Sequence, residues 1–177
     1  MRRPAFSDPY RTVVQALNRG GVRYVVIGLS GVNYYAGSAA ETFATMDYDV
    51  FVQPTLKNVT AAVRCLRRLG FNVGTSAGLL RAGQLADVVR RRRTLIATTV
   101  DGIAIELLLE VSGYSFADLA KDAITFKAHG VPVTVGRLAK LLRSKHLAGR
   151  PKDRQFLQRY KLLLEEKQGR VDDLPRP

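Results

Sequence analysis

The stretch from Val25 to Val52, VVIGLSGVNYYAGSAAETFATMDYDVFV, limits the folds open to this chain more than any other. It opens on an apolar strand and passes through the turn Gly28-Leu29-Ser30-Gly31. A short helical pattern follows at Val32, Asn33, Tyr34 and Tyr35, and the stretch closes on a strand, Thr45 to Val52, that carries two carboxylates. Side chains alternate along a strand, so Asp47 and Asp49 share one face while Tyr48 and Val50 take the other. Like charges side by side raise each other's pKa unless a cation stands between them. Oxygen donors of this kind suit Mg²⁺. Alone, such a pair reads as solvated acids at a strand start. Here a Gly/Ser turn precedes it and the apolar run Val50-Phe51-Val52 follows, and that context favours a metal site.

The 177 residues allow one domain, or a core with a helical appendage. A hydrophobic fraction of 46% implies a globular chain. No apolar run is long enough to span a bilayer, so no membrane association is expected. The opening Met1-Arg2-Arg3-Pro4 lacks the apolar segment of a signal peptide. Cys65 is the sole cysteine; it cannot form an internal disulfide, and a reducing cytoplasm is the expected compartment. The net charge of +13, with the run Arg90 to Arg93 and a basic last third, points to a polyanionic partner, nucleic acid first.

Taken in order, Ser7 caps an expected first helix over 9–18, with Val13, Val14 and Leu17 inward. A strand over 23–27 enters the glycine turn, and the acidic strand spans 48–53. Pro54-Thr55 starts a helix to Leu69, with Val59, Ala62, Val63, Leu66 and Leu69 at helical spacing. Cys65 packs within it, and Gly70 caps it. Residues 71–73 are extended, 74–83 carry no clear pattern, and 84–91 read as helical. Strands over 94–100 and 103–109 flank Asp101-Gly102, a two-residue hairpin turn. Ser115 caps a helix over 116–121. Strands over 124–127 and 131–135 surround His129-Gly130. Gly136 opens a helix through Leu147, with Leu138, Leu141 and Leu142 inward, and Gly149-Arg150-Pro151 breaks it. A last helix over 152–166 has Phe156, Leu157, Tyr160, Leu163 and Leu164 inward, before a tail from Gly169. The expected fold is α/β (α+β): a mixed sheet flanked by helices, with a core over 1–135, C-terminal helices over 136–168 and a tail over 169–177.

Glu106 interrupts an aliphatic strand, Ile105-Glu106-Leu107-Leu108. A charge in such a run needs a partner or a function. Alternation places it with Ala104 and Leu108, and beside Asp47 and Asp49 it is the best candidate for a third carboxylate. Tyr34 and Tyr35 read as packing residues, and His129 and His146 lack metal-ligand spacing.

A strand, a Gly/Ser turn with a short helix, the Asp47-Tyr48-Asp49-Val50 strand and a later strand with one acid together resemble the minimal nucleotidyltransferase fold. That is the superfamily of DNA polymerase β and the tRNA CCA-adding enzymes. The ending Lys145-His146-Leu147-Ala148-Gly149-Arg150-Pro151-Lys152-Asp153 resembles a stretch of the toxins of AbiE-type (type IV) toxin–antitoxin systems, the MenT toxins among them. The chain departs from the pattern in two places. Leu29 stands where the family has a second small residue, so Ser30 comes one position late, and the third acid is Glu where Asp is commoner.

The resemblance implies a catalytic set of Asp47, Asp49, Glu106, Lys145 and Asp153. Asp47, Asp49 and Glu106 would hold Mg²⁺, or Mn²⁺. Gly28 and Ser30 would grip the triphosphate of an NTP, Lys145 would neutralise its β- and γ-phosphates, Arg150 would add a bidentate contact, and Asp153 would orient Lys145 or Arg150. The implied activity is a toxin's transfer of nucleotides from NTP to the 3′ end of tRNA, which blocks aminoacylation, with a cognate antitoxin protein as partner. Two alternatives stand beside it: a nucleotidyltransferase acting on a protein or small-molecule hydroxyl, which would not need so basic a surface, and a non-catalytic nucleic-acid-binding module, against which the intact acidic pair speaks.

Overall fold

The computed structural model describes residues 10–45 and 47–172, with side chains to Glu166. The proposed cap Ser7 and residues 173–177 lie outside the described residues. The elements run α1 (Arg11–Arg19), β1 (Tyr24–Val26), α2 (Gly28–Asn33), a 3₁₀ turn (Ala39–Glu41), β2 (Asp47–Val52), α3 (Leu56–Arg68), β3 (Asn72–Thr75), β4 (Gly78–Leu79) and α4 (Leu85–Arg90). They continue as β5 (Leu95–Thr98), β6 (Ala104–Leu108), α5 (Phe116–Ala120), β7 (Ile124–Ala128), β8 (Val131–Val135), α6 (Leu138–Ala148) and α7 (Pro151–Asp172). The fold is α+β, as expected.

One eight-stranded mixed sheet, in the order β4-β3-β5-β6-β2-β1-β8-β7, carries the core. β2 lies near its middle, antiparallel to β1 and parallel to β6. Central strands are covered on both faces. Accordingly Val25, Val26, Val50, Val52, Ile105 and Leu107 are fully buried. Phe116 of α5 packs edge-on against Phe51 at 5.5 Å, on the face that Phe51 shares with Asp47 and Asp49. Tyr10 stacks on Tyr48 at 4.5 Å, on the opposite face, where the chain enters α1. Asn58 in α3 ties the far ends of β1 and β2 together, bonding the N–H and C=O of Arg23 and the C=O of Gln53.

Several expectations are corrected. Residues 28–31 form no separate turn, because α2 starts at Gly28 itself, with Ile27 extended before it. Asp101-Gly102 is part of a three-residue loop, Val100 to Gly102, closed by Thr99 and Ile103, with Gly102 at φ +83°. Residues 72–79 fold into the short β3–β4 hairpin. Gly136 prolongs the pairing of β8 with β1 through its N–H to Val26, so α6 begins only at Leu138. Leu164 is exposed, and α7 continues through Gly169 to Asp172. The arginine run is partly structural: Arg90 and Arg91 pair with Asp87, and Arg92 donates to the Pro54 carbonyl. No helix among the described residues is long and apolar enough to cross a membrane.

Candidate active site

The parallel pairing of β2 with β6 sets Asp49 opposite Glu106 and Asp47 opposite Ala104. Paired residues on neighbouring strands share a face. Glu106, 57 residues beyond Asp49 in sequence, therefore lies on the same side of the sheet as the two aspartates. They line a cleft of about 370 Å³ whose other walls come from Gly28 and Leu29 of α2, Lys145 of α6, and Arg150, Lys152, Asp153 and Phe156 at the start of α7.

Gly28 is required by its conformation and by its neighbour. Its φ is +63°, and a β-carbon there would stand 1.9 Å from Oδ2 of Asp49. The carboxylate occupies the space that any side chain at position 28 would fill. Ser30 is corrected as a triphosphate ligand. It is buried, and its hydroxyl donates to the Asp47 carbonyl at 3.0 Å and accepts from the Asp49 N–H at 3.4 Å. It pins α2 to β2 and does not line the cleft.

Lys145, Arg150 and Asp153 meet where α6 turns into α7. Gly149 takes a left-handed conformation at φ +60° that reverses the chain, and Pro151 opens α7. Asp153 is 1% exposed. It accepts from Lys145 Nζ at 3.3 Å, from Arg150 Nε at 2.6 Å and from Arg150 Nη2 at 3.3 Å. Burial pushes the Asp153 carboxyl up, but the Arg150 hydrogen bond and the Lys145 charge outweigh it, so the group stays below its ordinary range. Lys145 also lies over the Phe156 ring at 5.2 Å, which fixes a flexible cation.

The acids are under strain of charge. Burial, then Glu106, then Asp47 push the Asp49 carboxyl up to about 7, against the opposing pull of Lys145 and Lys152. Burial and Asp47 push Glu106 up as well. Asp49 and Glu106 ionise against burial and neighbouring negative charge, and a cation among the acids removes that cost.

The donor set, three carboxylates of hard oxygen, fits Mg²⁺ or Mn²⁺. Among the described residues no group of three His, Cys, Asp or Glu is placed to hold a metal ion by itself. Mg²⁺ is commonly held by one or two carboxylates, with substrate phosphates and water completing its shell. The sequence reading gave no separate role to Lys152, whose charge acts on both Asp49 and Glu106. Its position between Arg150 and Asp153 in the basic stretch was the available signal. Glu110, Thr45 and Ser144 also line the cleft, and nothing local marked them.

Protein-family models and curated proteins give no match to this chain. The functional reading therefore rests on the geometry.

Proposed function

We propose that the protein is a divalent-metal-dependent nucleotidyltransferase that moves a nucleotide from NTP to the 3′ hydroxyl of an RNA, tRNA first. On this reading it acts in the cytoplasm as a toxin restrained by a cognate antitoxin protein. One observation carries the proposal: two adjacent parallel strands bring Asp47, Asp49 and Glu106 to one face, opposite a cluster of Lys145, Arg150 and Lys152 in the same cleft. Acids on one wall and cations on the other match what a metal-bound triphosphate needs on its two sides.

In the reaction the acceptor hydroxyl oxygen bonds to the α-phosphorus while the bond from that phosphorus to the β-phosphate oxygen breaks, releasing pyrophosphate. Mg²⁺ or Mn²⁺, held by Asp47, Asp49 and Glu106, would supply charge neutralisation on the phosphate oxygens. Glu106, whose carboxyl is raised, can take the hydroxyl proton on an Oε. Lys145 neutralises the β- and γ-phosphates as a point charge. Arg150, whose side chain is 58% exposed, keeps N–H donors for a phosphate beyond those given to Asp153. Asp153 holds both cations in place. Gly28, having no side chain, leaves the Asp49 carboxylate its place in the cleft.

The basic surface favours RNA as acceptor over a small molecule, because a net charge of +13 has no use in binding a compact hydroxyl compound. The test incubates the protein with Mg²⁺, each labelled NTP and total tRNA, beside an Asp49→Ala control. Label on tRNA with the native chain alone is the expected result. Label on protein would move the acceptor, and no label with any divalent metal would overturn the reading. Expression of Asp47→Ala or Asp49→Ala should no longer inhibit growth.

A further inference from the structure

α6 is a partition. On one side Ser144, Lys145 and Ala148 line the cleft with the three acids. On the other, Lys140, Arg143 and His146 line a shallow groove with Tyr114 and Leu157. Two neighbouring elements divide in the same way. On α7, Phe156 faces the cleft and Leu157 the groove. In the loop after β6, Ser112 faces the cleft and Tyr114 the groove. Ser144 Oγ donates to the Ser112 carbonyl at 2.9 Å, so the loop and α6 are joined along this rim. Cleft and groove thus lie on two sides of α6, with the Ser112–Ser144 hydrogen bond on the rim between them.

The groove's chemistry is one-sided. No Asp or Glu lines it. Arg143 is exposed and makes no ion pair among the described residues. Lys140 Nζ, 5.9 Å above the Tyr114 ring, is held by Asp122 at 2.7 Å. From Ala123 to Lys152 the sequence carries Lys127, Arg137, Lys140, Arg143, Lys145, Arg150 and Lys152 and no acid at all. Tyr114 is half-buried, with Lys140 over its ring and the exposed Arg143 lining the same groove. An aromatic ring beside cations is the kind of surface that takes single-stranded nucleic acid, where a base stacks and the adjoining phosphates are neutralised.

We infer that this groove is the acceptor subsite, which binds the unpaired nucleotides that precede the 3′-terminal nucleoside of an RNA. The strand crosses the Ser112–Ser144 rim, so that its terminal hydroxyl reaches the carboxylates while its penultimate nucleotides lie against Tyr114 and Arg143. The inference rests on the nucleotidyltransferase reading in taking the cleft as the place of reaction, and it names where that reaction's acceptor is held.

Binding is measured without NTP, by anisotropy of a labelled RNA hairpin with an unpaired 3′ end and of a blunt hairpin of equal length. The full chain is compared with Arg143→Ala, Tyr114→Ala and Tyr114→Phe. Arg143→Ala should weaken binding of the unpaired end and lower the salt slope by about 1. Tyr114→Ala should weaken it about tenfold, while Tyr114→Phe, which keeps the ring, should retain it. The blunt hairpin should respond little to any of the three. In turnover, Arg143→Ala should raise KM for RNA and leave KM for NTP unchanged. Unaltered affinity and slope in Arg143→Ala, with Tyr114→Ala and Tyr114→Phe behaving alike, would overturn the subsite, as would equal losses on the blunt hairpin. Because binding needs no chemistry, failure of nucleotide transfer is seen separately from failure of the groove.

Discussion

The α-carbon of Gly28 lies directly against the carboxylate of Asp49, so closely that a β-carbon at residue 28 would sit 1.9 Å from Oδ2. The left-handed backbone at Gly28, φ +63°, adds a second reason for glycine. Gly28→Ala should therefore lose about 1–2 kcal/mol to backbone strain alone. Displacing Asp49 should reduce transfer by about 100-fold or more, as misplacements near 1 Å do. Thermal unfolding and initial rates on the same preparation check both; a variant with native rates would show that the Asp49 position is not critical.

Asp49 also sets a pH dependence. Its folded pKa of about 7 lies above its ordinary value of 3.8. The folded state binds the proton more tightly, so the stability from Asp49 is complete below the ordinary value and is lost as pH rises to about 7. In chelator, Asp49→Asn should be more stable than the native chain at about pH 8, by roughly 1 kcal/mol after allowance for solvent at the open cleft. The difference should shrink as pH falls below about 7 and close near the ordinary value of 3.8. Excess Mg²⁺ should raise the native melting temperature at about pH 8 and raise that of the variant less. Melting curves at both pH values, with chelator and with Mg²⁺, decide it.

Asp153 is the buried centre of two ion pairs. Asp153→Ala leaves Lys145, whose side chain is 13% exposed, without its counter-charge. A loss of about 3 kcal/mol is expected. Adding Lys145→Met should recover part of that stability and none of the transfer. Additive losses in a denaturation cycle would show that the two side chains do not interact.

Ser30→Ala separates a structural hydroxyl from a ligand. The hydroxyl bridges the Asp47 carbonyl and the Asp49 N–H. Its removal should cost about 1–2 kcal/mol and change KM for NTP by less than about threefold. A large rise in KM with native stability would return Ser30 to the triphosphate.

The acidic face of β2 was legible because a period of two needs no tertiary information. Glu106 was legible as a charge in an aliphatic run. Its pairing with Asp49 was not, since parallel strands with a long crossover leave no local register signal. Ser30 was misread for a related reason: a serine beside a glycine bend looks the same whether its hydroxyl faces a ligand or a strand. The acceptor groove was invisible in the linear order, because Tyr114, Arg143 and Leu157 come from three separated segments. The exposed leucine at 164 was misassigned because α7 extends past the apolar surface that its inner face covers.

The small loop Val100 to Gly102 joins β5 to β6 and sets Glu106 opposite Ile96 within that hairpin. Strand geometry is unforgiving here: one residue gained or lost at the loop, if taken up by β6, would turn Glu106 towards the rear layer and bring an aliphatic neighbour forward. A solvent-facing tip thus acts as a ruler for which side chains of β6 reach the acidic face of the sheet. Length variation there should be tolerated far less than substitution.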